Sequence, residues 1–352
     1  MEAKGIKLGV SLVVPSVQEL AKEHLIKVPS RYVRPDHEPQ VVPSPLPQVP
    51  IIDMERLTSK DFVDYELEKL HMACKDWGFF QVINHGISSS LLERVKEETQ
   101  QLFELPTEEK KKLWQTPEDL EGFGQAFVFS EEQKLDWADI FFLVTLPHHR
   151  RKPHLFPNLP LPFRDTLEEY SREVMNTAKK TLLYIAKALN METTDLMALF
   201  EEGMQSMRMN YYPPCPQPEQ VIGLAPHSDA VGVTFLLELN EVHGLEIRKD
   251  GAWIPVTPLH NAFIVNIGEI LEIVTNGQYK SIEHRATVNS EGERLSIATF
   301  INPNINGEIG PAPSLVTAET PPNFARVAVL DFFQNLFSKE LKGKSNLEQY
   351  RI

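Results

Sequence analysis

The sequence predicts an α+β fold: a double-stranded β-helix, or jelly roll, flanked by helices. Three observations carry that prediction. From Ser206 to about Pro303 the chain breaks into short β-rich runs, among them VTFLLEL, LEIRK, WIPVTP, AFIVNIG and LSIATF, separated by Pro, Gly and Asn. Runs of this kind close into two facing sheets whose narrow interior holds one small ligand and one metal. From Pro162 to Asn190, Leu167, Tyr170, Val174, Ala178, Leu182, Ile185 and Leu189 keep one helical face apolar for about six turns. Such a helix backs a sheet. Finally, three strand-like segments carry polar pairs at i, i+2 spacing, Asn210/Tyr212, His227/Asp229 and Arg294/Ser296, and residues two apart in a strand project from one face.

In chain order, residues 1–48 are polar and proline-rich. A short amphipathic segment at Val17 to Leu25 precedes HEPQVVPSPLPQVP, whose prolines favour an extended, solvated path. This stretch is expected to lie as an arm on the body, without chemistry of its own. Residues 49–205 are expected to form a helical N-terminal region packed on the barrel. There VPIIDM reads as a strand, followed by a helix in which Leu67, Leu70, Cys74 and Trp77 recur at three- and four-residue spacing. Phe79 to Asn84 reads as a strand ending in the Asn84, His85, Gly86 turn, and a second helix runs from about Ser90 to Leu105. Between Gly122 and Thr145 aromatics mix with acids; most are core by composition, and Phe127 and Phe141 are candidates for the wall of a substrate pocket. Residues 206–303 are the jelly-roll core. In residues 304–352, LDFFQNLFSKEL reads as a helix that caps the barrel mouth.

Composition narrows the function. With 42% hydrophobic and 24% charged residues in 352, this is an ordinary globular chain able to bury a large core. A net charge of -14 disfavours nucleic acid or an anionic membrane as partner. Two cysteines, Cys74 and Cys215, are too few for a disulfide framework, and no apolar run approaches the ~20 residues of a membrane span. The start, MEAKGIKLGVSLVV, lacks a signal core and cleavage site. A monomeric cytoplasmic enzyme acting on a small molecule is expected.

The candidate chemistry starts at GLAPHSD. His227 and Asp229 supply an imidazole and a carboxylate, and His284, in SIEHRA, is the best-placed third ligand. Two histidines and one carboxylate on one face leave coordination positions open, a set that favours non-heme Fe(II) oxygen chemistry. Arg294 and Ser296 form a carboxylate clamp, since a guanidinium offers a planar fork of donors. Asn210 and Tyr212 add hydrogen-bonding groups, Arg208 shares their face, and Phe300 follows Arg294 at even spacing, placed to stack on an aromatic substrate. His85 at its turn reads as structural, His243 as solvated, and HHRRKPH as an exposed basic loop.

VPIIDM, DWGFFQVINHG, NYYPPCPQP, HSD, NAFIVNIGE, EHR and RLSIATF together resemble the plant 2-oxoglutarate- and Fe(II)-dependent dioxygenases, over about Val49 to Ile352. PSVQELAKEHL, SRYVRP, EGFGQAFVFSEEQKLDWADIFF and RKPHLFPNLPLPFRDTLE most resemble the branch of codeine and thebaine O-demethylases and their senescence-related relatives. The resemblance implies Fe(II) on His227, Asp229 and His284, with O2 as oxidant and ascorbate as an activator. It places the far carboxylate of 2-oxoglutarate on Arg294, Ser296 and Tyr212, with Asn210 near the metal end. It implies oxidative decarboxylation of 2-oxoglutarate to succinate, coupled to hydroxylation or O-demethylation of an aromatic plant metabolite. Departures are Asn302, where flavonoid relatives hold a phenol with an acid; Glu238 and Glu246, where relatives commonly have glutamine; and Glu269, where aspartate is common. Two other readings share these motifs: an ascorbate-using oxidase of the ethylene-forming type, and a catalytically idle, metal-holding jelly-roll protein.

Overall fold

The computed structural model describes residues 11–23, 25–35, 47–116, 119–125, 127–338 and 345–352, so most of the proline tract, at 36–46, lies outside the described residues. Its main strands are β1 (Ile51–Asp53), β2 (Phe79–Ile83), β3 (Gly122–Gly124), β4 (Asp139–Leu146), β5 (Met204–Tyr212) and β6 (Leu224–His227). They continue with β7 (Val233–Glu238), β8 (Leu245–Lys249), β9 (Ala252–Pro255), β10 (Phe263–Ile267), β11 (His284–Ala286) and β12 (Arg294–Asn302). One sheet has the order β1-β2-β10-β7-β12-β5-β4-β3 and the other β6-β11-β8-β9. Side chains of both sheets line one shared cavity, the interior of a jelly roll.

The alternation of β5 and β12 decides what that cavity contains. The two strands pair antiparallel with Arg294 opposite Tyr212, Ser296 opposite Asn210, Ala298 opposite Arg208 and Phe300 opposite Ser206. Those eight face the cavity. Their neighbours Met207, Met209, Leu295 and Ile297 point the other way, into a core shared with Tyr170, Val174, Leu182 and Ile185 of the helix Phe163–Ala188. Each fully buried side chain of this size stabilises the fold by about 1.5–3 kcal/mol. The apolar stripe of the helix therefore fixes which face of the sheet is left for chemistry.

The first long helix, Val63–Met72, runs on as a π-helical turn over Ala73–Trp77. Gly78 stops it at φ +61, where a Cβ would stand 2.3 Å from the Lys280 carbonyl oxygen, and the chain turns straight into β2. His85 hydrogen-bonds the Asn261 carbonyl at 2.9 Å and serves the turn after β2.

The N-terminal arm is tied to the site wall. Its helix, Val17–Lys22, is shorter than the amphipathic pattern suggested, and its amino end rests on buried Asp139, which accepts from the Val17 and Gln18 amides at 2.9 and 3.0 Å and from the Ser16 hydroxyl. A carboxylate there satisfies amides that have no helical partner. Leu12 N donates to Val128 O at 2.8 Å and Ser11 Oγ to Gln125 O at 2.9 Å, so the arm braces the segment that carries Phe127.

Glu121, just before β3, accepts the Val144 amide of β4 at 2.8 Å. Burial raises its carboxyl to about 7, against the opposing pull of that hydrogen bond. A carboxyl whose pKa is raised on folding stabilises the protein while protonated, and that stability is lost as pH rises from the unfolded value through 7. Stability is therefore expected to fall between pH 5 and 8 by on the order of 2–3 kcal/mol through this group alone. Glu121→Gln should flatten that part of the slope in urea unfolding curves; an unchanged slope would exclude Glu121 as its source.

Candidate metal centre

β6 and β11 pair with His227 directly opposite His284, which brings the two imidazoles to 4.3 Å between ring centroids. Asp229 lies beyond the end of β6, in an irregular stretch, so strand alternation does not by itself aim it. Its backbone carbonyl accepts the Glu269 amide at 2.8 Å, and its side chain is turned in by partners from β7 and β10. Asp229 Oδ1 lies 3.4 Å from His227 Nε2 and 3.7 Å from His284 Nε2. One ligand atom from each of the three falls within 4.8 Å of the others.

Hydrogen bonds around the triad leave the ligating atoms free. His227 Nδ1 is 2.8 Å from the Ala225 carbonyl and His284 Nδ1 is 3.2 Å from that of Ile282. A carbonyl accepts only, so in each ring the proton belongs on Nδ1 and the lone pair on Nε2. Asp229 Oδ2 accepts from Thr234 Oγ1 at 2.6 Å and Asn266 Nδ2 at 2.8 Å, which leaves Oδ1 toward the histidines. Burial and the neighbouring His227 lower the His284 pKa to about 4, so its ring is neutral at physiological pH. Burial alone would raise the Asp229 carboxyl, but His284, His227 and the Thr234 hydroxyl reverse that and hold it far below the carboxylate range. Neutral imidazoles and an ionised carboxylate are the metal-binding forms.

Next to the triad lies an anion site. Arg294 is almost sealed, with its guanidinium carbon 5.0 Å from the centre of the Tyr212 ring, and Ser296 Oγ receives Asn210 Nδ2 at 3.2 Å. Arg294 Nε, a donor, has no hydrogen-bond partner among the described residues. Orphaned buried polar atoms are rare and mark a place where a ligand completes the network. A small dianion with one end on Arg294 and Ser296 and the other at the triad suits this donor set.

The remaining wall is mostly apolar. Phe300 and Phe127 face the cavity, and Arg208 lines it opposite Ala298 with its buried Nε unpartnered among the described residues. Phe127 has φ +64, a left-handed backbone that costs a non-glycine residue on the order of 1–2 kcal/mol, and stacks at 5.2 Å and 7° on Phe337. Phe141 is a correction. It is completely buried on the core face, opposite Met209 and against Phe123 at 4.7 Å, because β4 alternates like β5 and sends Ile140 and Phe142 into the cavity instead. In FFL the two phenylalanines are adjacent, and composition could not tell which parity faces inward.

Several participants escaped the sequence reading. Asn266 is a lone polar residue inside FIVNI, and a buried amide in an apolar strand was the available signal. Thr234, Ile140 and Phe142 carry no such mark, whereas Phe333, Leu336 and Phe337, which also line the cavity, belong to the segment read as a capping helix, whose described helical part is Val329–Leu336. Arg285, beside His284, is paired with Glu246 across β11 and β8 at 2.6 Å, which locks the third ligand's strand. Glu238 holds Arg294 through Oε1 at 2.5 Å, a contact between residues 56 apart in sequence.

Residues 203–303 match the model of the 2OG-Fe(II) oxygenase superfamily, and residues 49–160 that of the N-terminal region of non-haem dioxygenases in morphine synthesis. The chain is 58% identical to Protein SRG1 of Arabidopsis thaliana, each covered over 100% of its length. It is 55% identical to oxoglutarate-dependent flavonoid 7-O-demethylase 1 of Ocimum basilicum, over 99% of this chain and 94% of that one. With codeine O-demethylase of Papaver somniferum it shares 51% identity over 99% and 98%. Among solved structures it is similar to JOX2 in complex with 2OG, Fe and JA, at TM-score 0.87 and 34% identity, covering 98% of this chain and 99% of that one.

Proposed function

The chain belongs to the 2-oxoglutarate- and Fe(II)-dependent oxygenase superfamily, and from that premise we propose that it hydroxylates or O-demethylates an aromatic plant specialised metabolite. It is an enzyme whose cofactor is Fe(II) and whose cosubstrate is 2-oxoglutarate. Bound iron, with O2, supplies the oxidising power: 2-oxoglutarate is decarboxylated to succinate while a substrate C–H bond is oxidised. Everything else falls to the residues of this chain. His227, Asp229 and His284 hold the metal, and Thr234 and Asn266 fix the carboxylate orientation. Arg294, Ser296 and Tyr212 take the distal carboxylate, and Asn210, which the resemblance placed near the metal end, donates to Ser296 Oγ at 3.2 Å and orients that hydroxyl. Phe127, Phe142 and Phe300 wall the cavity and exclude water, and Arg208 offers its guanidinium to an acceptor group on the substrate.

The observation that carries the substrate class is this combination of aromatic wall and an Arg208 Nε that has no hydrogen-bond partner among the described residues. It suits a planar aromatic body bearing a carbonyl, phenolate or methoxy oxygen. The O-demethylase names of the basil and poppy relatives support the second of the two outcomes. Mass spectrometry of reactions with methoxylated flavonoids, coumarins and alkaloids tests it. Loss of a CH2 unit with formaldehyde means demethylation, gain of one oxygen means hydroxylation, and turnover of small aliphatic acids alone would refute the aromatic acceptor. Among the described residues no helix is long and apolar enough to cross a membrane.

The parity of β4 gives a paired prediction. Phe142→Ala should raise the half-saturating substrate concentration roughly tenfold or more, as loss of about 1.5–3 kcal/mol of apolar contact implies, with little change in melting temperature. Phe141→Ala should instead lower stability by about 3–5 kcal/mol. Thermal melts and saturation kinetics on the two variants check the assignment, and the opposite pattern would reverse it.

A further inference from the structure

Arg294 already has an anion. Glu238, the last residue of β7, stands opposite Ser296 of β12, and its Oε1 lies 2.5 Å from Arg294 Nη2. The two side chains are 8% and 3% exposed, so the pair is out of water. It is also incomplete: Glu238 Oε2 and Arg294 Nε have no hydrogen-bond partner among the described residues. A guanidinium matches a carboxylate best through two parallel bonds, and this contact uses one.

We propose that Glu238 sets the strength of 2-oxoglutarate binding, as a resident carboxylate that neutralises Arg294 in the free enzyme and competes with the distal carboxylate of the cosubstrate. This inference rests on the reading of Arg294 as the cosubstrate clamp. A buried guanidinium without a counter-charge is strongly destabilising, so Glu238 stabilises the empty site. When the cosubstrate docks, Arg294 faces two carboxylates with a single positive charge. Either Glu238 takes a proton or it turns from the guanidinium, and both reduce net affinity. Burial outweighs the attraction of Arg294 and holds the Glu238 carboxyl above its ordinary range, which makes the proton the smaller cost. A neutral side chain of the same shape would leave the full charge of Arg294 to the incoming dianion.

The test is Glu238→Gln, with 2-oxoglutarate titrated calorimetrically without oxygen and Mn(II) in place of iron, and thermal melts alongside. The variant should bind 2-oxoglutarate about tenfold more tightly or better, since like charges forced together cost several kcal/mol. It should melt lower without cosubstrate and show a larger rise with it. Affinity for 2-oxopentanoate, which lacks the distal carboxylate, should not change. Unchanged or weaker 2-oxoglutarate binding overturns the proposal, and so does an equal gain for 2-oxopentanoate. Should Glu238→Gln fail to fold, Glu238→Asp withdraws the carboxylate by one methylene and should shift affinity in the same direction, and no shift there overturns it. If the wild-type protein itself does not bind 2-oxoglutarate, the clamp reading falls and this one with it. Wild-type binding with unaltered variants removes Glu238 alone.

Discussion

Asp229→Ala should abolish Fe(II)-dependent succinate formation, and it should also remove the rise in melting temperature expected when Fe(II) or Mn(II) binds the wild-type protein. The second readout follows from linkage, since a metal that binds only the folded state stabilises it in proportion to its affinity. Asp229 is the anionic member of the triad and the group both histidines face, at 3.4 and 3.7 Å. Its loss should exceed the roughly 10–100-fold drop in metal affinity expected for an outer residue such as Asn266. Alanine also strands the Thr234 hydroxyl and the Asn266 amide without their acceptor, which costs about 1–3 kcal/mol of metal-free stability. His227→Ala and His284→Ala should lose the same activity without that penalty, because the other contact of each ring is to a local carbonyl. Full turnover by any of the three variants would remove that residue from the site.

How much of this was legible in the sequence depends on the range of the interaction. Spacing within a strand was readable: the even positions of RLSIATF and RMNYY do share a face, because alternation needs no knowledge of the partner strand. Which parity faces the cavity was readable only where polar residues marked it. β5 and β12 are marked; β4, with Phe141 and Phe142 side by side, is not, since both parities are apolar and the covering helix decides. Asp229 met its expected place for a reason the spacing did not contain, because β6 ends at His227 and hydrogen bonds from Thr234 and Asn266 aim the carboxylate. Glu238 was noticed only as an unusual acid. Its pairing with Arg294 depends on the register of β7 against β12, which no local pattern encodes.

Arg294→Lys should raise the 2-oxoglutarate concentration needed for half-maximal succinate formation by about ten- to a hundredfold, the equivalent of a lost charge-assisted hydrogen bond of about 1.5–3 kcal/mol. An ammonium keeps the charge and so keeps Glu238 neutralised, which predicts a folded variant with a near-normal melting temperature. What it gives up is the fork. Arg294 presents Nη2 to Glu238 at 2.5 Å, and its Nε has no hydrogen-bond partner among the described residues, so the planar fork still has a donor to offer an incoming carboxylate. Lysine, a point charge on a flexible stem, must divide its attraction between the two anions and orient neither. Ser296→Ala should weaken binding less, because the hydroxyl is an uncharged donor that offers a single hydrogen bond and its oxygen is already engaged by Asn210 at 3.2 Å. Saturation kinetics together with direct binding in the Mn(II) form separates affinity from turnover. An unchanged 2-oxoglutarate requirement in Arg294→Lys would mean that the distal carboxylate is held elsewhere, and the Arg294–Glu238 pair would then be a structural ion pair of the barrel wall.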